Sequence, residues 1–207
     1  MKPISTKERV VLDSLLKSKL LPREPYDITE EHLVHYMHGY VKFLGKTSFD
    51  LRSTDYRYTR KLAGLTLLKH NVELGASVNE IKAGIVYVIE NPIFPEHYKI
   101  GMTVDLPARL STYQTYDPFR RFKVKHYEFV LNRRHTETII LNSFDISVEA
   151  GEWVKQDKFS TDLKDTYRQN LENLMIAKPI MEEAKQVLGV DMYPQNYDDL
   201  PNSHILS

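Results

Sequence analysis

A tyrosine, a lysine, an arginine, a second tyrosine and a glutamate follow one another between Gly84 and Glu137: Tyr87, Lys99, Arg109, Tyr113 and Glu137. Hydrolysis of a phosphodiester needs a deprotonated water, cations that offset charge on the phosphorane, and a carboxylate-held divalent ion at the leaving oxygen. These residue types cover all three needs. The sequence contains no cysteine, so disulfides, thiolate metal sites and a cysteine nucleophile are excluded and any metal must be held by carboxylate, imidazole or water. Histidine offers little in that direction. His135 lies two residues from Glu137, the wrong spacing for one helix face, and His32 and His35 could share a face but have no evident third ligand.

The elements that must position these groups follow from the local patterns. Ile85–Ile89 is a β-branched and aromatic run between Gly84 and Asn91-Pro92, which reads as a buried strand closed by a turn. Tyr98–Ile100 makes a second short strand, antiparallel to the first across a loop containing Pro92 and Pro95. Asp105 caps a helix with Pro107 in its first turn, carrying Arg109, Leu110 and Tyr113. Phe122–Val130 alternates as a third strand, and 133–144 has helical spacing with Ile139, Ile140 and Phe144 facing inward.

On either side the chain reads as helical. Ser5 to Glu8 forms a capping box for a helix over about 6–20, and Asp27-Ile28-Thr29-Glu30 offers a second box before an apolar face that ends at Gly45. A third helix is expected over 55–68, and Ser77 to Glu80 starts a short fourth after Gly75. Helices around a glycine turn could make a helix-turn-helix, although many small bundles share that spacing. From Ser160 onward, Leu163, Tyr167, Leu171, Leu174 and Met175 mark a further helix that Pro179 breaks or kinks before a turn-rich segment ending at Gly189, and the tail from Tyr193 to Ser207 reads as loosely ordered.

Bulk composition limits the classes available. With 207 residues, 42% hydrophobic and 27% charged, the chain matches an ordinary globular protein with one domain plus an appendage, or two small domains. There is no apolar run long enough to span a bilayer and no apolar signal region near Met1, so the expected location is the cytoplasm. The formal net charge of zero argues against a nucleic-acid partner until its distribution is considered. From Lys99 to Arg134 there are eight Lys/Arg against three Asp/Glu, and from His135 onward six against thirteen. A basic middle therefore precedes an acidic end.

Ile85-Val86-Tyr87, then Tyr98-Lys99-Ile100-Gly101-Met102-Thr103, then Arg109, resembles the signature of the GIY-YIG nuclease superfamily. The form is closest to the branch common in phage and viral genomes, whose second motif reads Lys-Ile-Gly-x-Thr and which closes with Glu-Trp-aromatic, as in Gly151-Glu152-Trp153-Val154. The resemblance implies an active site of Tyr87 as general base, Lys99, Arg109 and Tyr113 around the phosphate, and Glu137 holding Mg2+ or Mn2+. Lys99 stands where the superfamily's name has tyrosine, and Tyr113 where many relatives have histidine. A phenol is a poor base at neutral pH, so Lys99 on the adjacent strand is expected to bring its ammonium to Tyr87 and lower its pKa. The plainer alternatives are a core aromatic for Tyr87, a solvated lysine, a surface arginine, a packing tyrosine and a solvated helical glutamate.

Arg120, Arg121, Lys123, Lys125, Arg133 and Arg134, interleaved with Tyr116, Phe119 and Tyr127, are the expected DNA contacts, against the alternative of solvated strand-edge charges. The whole reads as an α+β chain: a helical region over 1–83 for targeting or oligomerisation, a nuclease-like region over 84–159 with a small antiparallel three-stranded sheet flanked by helices, and a helical segment and tail over 160–207. The expected activity is metal-dependent endonucleolytic cleavage of DNA, taken as double-stranded, in a bacterial or phage-infected cell, with homo-oligomers allowed. The competing readings are a module that binds DNA or RNA without cutting and, from the acidic C-terminal end, a protein-interaction subunit.

Overall fold

In the computed structural model, residues 1–46, 54–143 and 152–155 are described; the segments expected as a helix from Ser160, as turns up to Gly189 and as a loosely ordered tail from Tyr193 lie outside them, as does Phe144. The fold is α+β, and the chain divides into two compact units. Among the described residues, one unit comprises 2–46 with 54–81 and the other Met1, 82–143 and 152–155. No helix among them is long and apolar enough to cross a membrane.

The helical unit contains α1 (Thr6–Lys17), α2 (Glu30–Phe43) and α3 (Thr54–Glu73). The first expected capping box forms, and the second is displaced by two residues from Asp27–Glu30. Ser5 and Glu8 exchange side-chain and backbone bonds, and Thr29 pairs with His32, whose Nδ1 accepts from the Thr29 amide at 3.2 Å. That bond gives His32 a structural role at the helix start. Helix α1 ends earlier than its pattern suggests because the chain turns at Lys19, which adopts φ 58. Gly45, at φ 68, takes the left-handed conformation beyond α2 that a side chain resists. The core is Val11, Leu12, Leu15, Leu33, Val34, Tyr36, Met37 and Val41 with Ala63, Leu67 and Leu68. The short fourth helix does not form: residues 78–80 are a turn, so no helix-turn-helix is built around Gly75.

The second unit holds the sheet. Its strands are β1 (Gly84–Glu90), β2 (His97–Thr103), β3 (Lys123–Val130) and β4 (Trp153–Lys155), all antiparallel in the order β3-β1-β2-β4. The expected three strands are present and a fourth joins them. At three residues, β4 is too short to show a period of two in sequence. Helix α4 (Leu106–Gln114) follows β2, and α5 (Arg133–Ser143) follows β3.

Alternation along β1 separates two faces. Val86 and Val88 join Ile100, Val130 and Val154 in one cluster, against which Ile140 and Leu141 of α5 pack. Ile139 is exposed instead of facing inward, because the helix turns its Ile140–Leu141 side to the sheet. The opposite face carries Ile85, Tyr87 and Ile89, aligned in register with Thr103, Gly101 and Lys99 of β2.

Candidate active site

Tyr87 lies directly across from Gly101, so the two residues share one face of the β1–β2 ladder. The ring crosses over the glycine. A Cβ built on Gly101 would lie 2.6 Å from Tyr87 Cζ, which leaves room for no residue but glycine. Gly84 has a similar explanation: its Cβ would fall 2.6 Å from Arg133 Cδ and 2.8 Å from the Thr103 carbonyl oxygen. Both glycines of the motif thus mark close approach rather than a turn.

Tyr87 is 1% exposed, and its hydroxyl lies 3.1 Å from that of Tyr113, reached from α4. Asp105 caps α4 by accepting from the Ala108 amide at 3.2 Å, as expected, and fixes the helix that carries Tyr113 and Arg109. The Tyr113 ring continues into Phe122 at 5.5 Å between centroids. Burial, reinforced by Tyr113, pushes the Tyr87 phenol well above the ordinary tyrosine range; the positive charge of Arg109 pulls the other way without prevailing. The expectation that Lys99 would lower this pKa is corrected. Lys99 Nζ lies 2.7 Å from Glu152 Oε2, over the rings of Trp153 at 5.6 Å and Tyr113 at 5.9 Å, and so is committed to the β4 side of the site.

Glu137 reaches the same region from α5. Strand β4 pairs with His97–Lys99 of β2, and the Ile100 amide then donates to the Glu152 carbonyl at 2.9 Å. Two residues on, the Met102 amide points to the same side and donates to the Glu137 carboxylate. Burial pushes the Glu137 carboxyl up, and the negative charge of Glu152 adds to that shift; Lys99, Arg109 and the Met102 amide oppose it. Arg109 therefore acts on both Tyr87 and Glu137, Tyr113 on Tyr87, and Lys99 on Glu137 while lying over the Tyr113 ring, which links the five residues in one neighbourhood. Glu152 belongs with them. Sequence reasoning quoted it only as part of the closing Glu-Trp motif, and that motif was the signal that could have found it.

The basic residues divide. Arg120, Lys123, Lys125 and Arg134 are exposed, with Lys125 Nζ 3.7 Å from Glu90. Arg133 is 6% exposed and donates to the Ala83 carbonyl at 2.9 Å, so it braces the start of β1 and is not a surface contact. Arg121 is tied to Asp117 through Nε and Nη2, both at 3.2 Å, which leaves it only partly available. Among the described residues, no group of three or more His, Asp or Glu gathers to cage a metal. What the site offers is a carboxylate, Glu137, influenced by a second one, Glu152. Hard oxygen donors of this kind suit magnesium, which binds through one or two carboxylates and completes its shell with water and phosphate oxygens.

No curated protein and no solved structure matches this chain. A family model does: residues 84–169, less than half of the sequence, match the T5orf172 domain, a phage-associated domain related to nuclease-type folds. The matched stretch begins at the first glycine of β1 and takes in every site residue described above, so the second unit is similar to a nuclease-like family in this coarse sense.

Proposed function

We propose that the chain is a metal-dependent DNA endonuclease of the GIY-YIG type, acting on double-stranded DNA. The observation that carries this reading is the convergence of Tyr87, Arg109, Tyr113 and Glu137 from three different elements, with Lys99 at their edge. Arg109, on the exposed side of α4, faces the phosphate and offsets charge on the phosphorane. Glu137 holds the divalent ion, Mg2+ or Mn2+, which when bound supplies positive charge at the leaving oxygen. A cation there also relieves the carboxylate of the charge that burial and Glu152 disfavour.

Tyr87 is kept neutral by its surroundings. As a phenol it orients the attacking water by hydrogen bonding, with Tyr113 fixing its hydroxyl. Its service as general base requires cationic help, and Arg109 is the side chain that acts on it in that direction. Exposed Arg120, Lys123, Lys125 and Arg134 supply phosphate contacts along the DNA.

The raised Tyr87 pKa favours a second reading, a module that holds DNA or RNA without cutting it. Cleavage of supercoiled plasmid with magnesium, compared with Glu137→Ala and with an EDTA control, separates the two. Nicking or linearisation by wild type alone supports the endonuclease. Binding without cleavage under every divalent metal tried sinks it in favour of the binding module.

A further inference from the structure

The turn that leaves α4 is built around a carboxylate buried for structural reasons. Asp117 is 1% exposed and accepts from Asn91 Nδ2 at 3.0 Å, from the Phe119 and Arg121 amides at 3.0 Å each, and from the Arg121 guanidinium. Hydrogen bonding from Arg121 holds this carboxyl below the usual carboxylate range, so it is charged throughout the neutral range. Gln114 ties the two ends of the turn, donating to the Phe122 carbonyl at 2.7 Å and accepting from the Phe122 amide at 3.2 Å. Arg120 is held in the left-handed region at φ 51, a conformation a non-glycine residue resists.

This rigid turn presents apolar rings to solvent. Tyr116 is 79% exposed and Phe119 is 74% exposed, the two most exposed large hydrophobic side chains among the described residues. The Arg121 guanidinium lies 4.8 Å over the Phe119 ring, so the ring stands as half of a cation-backed stack with its other face open. Neither ring contributes to the core. Arg120 and Lys123 flank them, exposed, and the Tyr116 amide donates to the Tyr113 carbonyl at 3.0 Å, one turn from the hydroxyl pair of the active site.

We infer that residues 116–121 form a base-stacking wedge: Tyr116 and Phe119 take unpaired or unstacked nucleobases of the nucleic acid whose backbone Arg120 and Lys123 contact. Positive charge beside open rings on a preorganised turn is the chemistry that recognises a nucleic-acid strand with bases free to stack. A rigid turn also avoids the ordering cost a mobile one would meet on binding. The inference rests on the nucleic-acid reading above and narrows it to substrates with locally unpaired bases, such as bulges, frayed ends or single strands.

The test is fluorescence anisotropy at fixed salt, in EDTA so that cleavage plays no part, on the full chain with two probes: a short paired duplex and the same duplex carrying a bulge of unpaired adenines. Wild type should prefer the bulged probe, and 2-aminopurine placed in the bulge should be quenched on binding. Phe119→Ala and Tyr116→Ala should each weaken the bulged complex by about tenfold, in the range for loss of one base–aromatic stack, with far less effect on the paired probe. Phe119→Trp should keep the quench. Both positions are exposed, so unchanged thermal melting will verify that the variants are folded. Equal affinity for the two probes, or alanine variants that bind the bulge as wild type does, overturns the wedge while leaving the nuclease reading intact and assigns the rings to a protein partner. Failure of wild type to bind either probe overturns both.

Discussion

Each unit of the molecule withdraws a glutamate from water, Glu8 buried and Glu137 half-buried, and the two are treated in opposite ways. In the helical unit Glu8 is 5% exposed, and burial alone would raise its pKa, yet Ser5, Lys69 and Thr66 surround it with donors and bring it down to about 2. Thr66 Oγ1 donates to Glu8 Oε1 at 2.9 Å and Lys69 Nζ lies 3.0 Å from the same atom. In the sheet unit Glu137 has one backbone amide and two cations acting on it, set against burial and a second carboxylate, and its pKa stays raised. A buried charge whose requirements are met by the protein itself is part of the scaffold. One left short of positive charge is prepared for something from outside.

Replacement of each glutamate tests this contrast, and the largest effect should come from Glu137. Glu137→Ala should lower plasmid cleavage by about a thousandfold or more, the scale of losing a principal electrostatic partner of the transition state, with little loss of thermal stability. Added magnesium should raise the melting temperature of wild type but not of this variant, since only a ligand that binds the folded state stabilises it. Glu8→Gln should do the reverse, leaving cleavage per folded molecule unchanged and lowering the melting temperature. A variant of Glu137 that melts early but still cuts would erase the distinction.

Acid sharpens the comparison further. Glu8 has a folded-state pKa depressed from the ordinary 4.5 to about 2, so its contribution to stability is complete above the unfolded value and is lost as the pH falls from about 4.5 toward 2. The full linkage amounts to about 3 kcal/mol at most. Glu137 has the opposite sign: its raised folded pKa favours the protonated fold, so in metal-free protein its contribution is present at low pH and declines as the pH rises through that value. Chemical denaturation at stepped pH, with Glu8→Gln and Glu137→Gln as references, should show the wild-type difference from the first shrinking in acid. If Glu8→Gln is as acid-sensitive as wild type, the donors around Glu8 do not hold its charge as described.

Glycines offer a third contrast between the units. Gly39, on α2, would place a Cβ 3.1 Å from Val11 Cγ1, a crowding of a few tenths of an ångström. Gly101 would place one against the Tyr87 ring, which is pinned between strands and bonded to Tyr113. Gly101→Ala should therefore cost about 1–3 kcal/mol through overpacking and depress cleavage by displacing Tyr87. Gly39→Ala should lie within about 1 kcal/mol of wild type, because helix propensity offsets the crowding. Thermal melts of the pair decide the matter, and equal losses would mean that the ring yields.

Much of this was legible in sequence where one residue's local environment decides its role. Ser5 and Glu8, Asp105 and the β-branched run of β1 all act through their neighbours in the chain, and all form as expected. What was not legible depends on long-range contacts. The guanidinium of Arg133 is drawn to a carbonyl fifty residues away, and Lys99 chooses Glu152 over Tyr87 because β4 lies along β2. Neither the three-residue strand nor the carboxylate it carries into the site has a periodicity to announce it. The turn at 78–80 had the residues of a helix start, but no helix continues from it among the described residues.

The smallest effect falls on Glu152, and it tests whether the two carboxylates act as a pair. Its side chain is 44% exposed, so its ion pair with Lys99 contributes no more than about 1 kcal/mol and Glu152→Gln should leave stability nearly unchanged. Its effect on Glu137 should be visible nonetheless. The negative charge of Glu152 raises the Glu137 pKa, and Lys99, released from its partner, would act more strongly on Glu137 in the lowering direction. Both changes have one sign: the acid limb of magnesium-dependent cleavage in Glu152→Gln should move to lower pH, with the plateau rate altered less than the limb. A limb that stays in place would mean that Glu152 serves only to hold Lys99, and one that moves upward would mean that it shares in binding the metal.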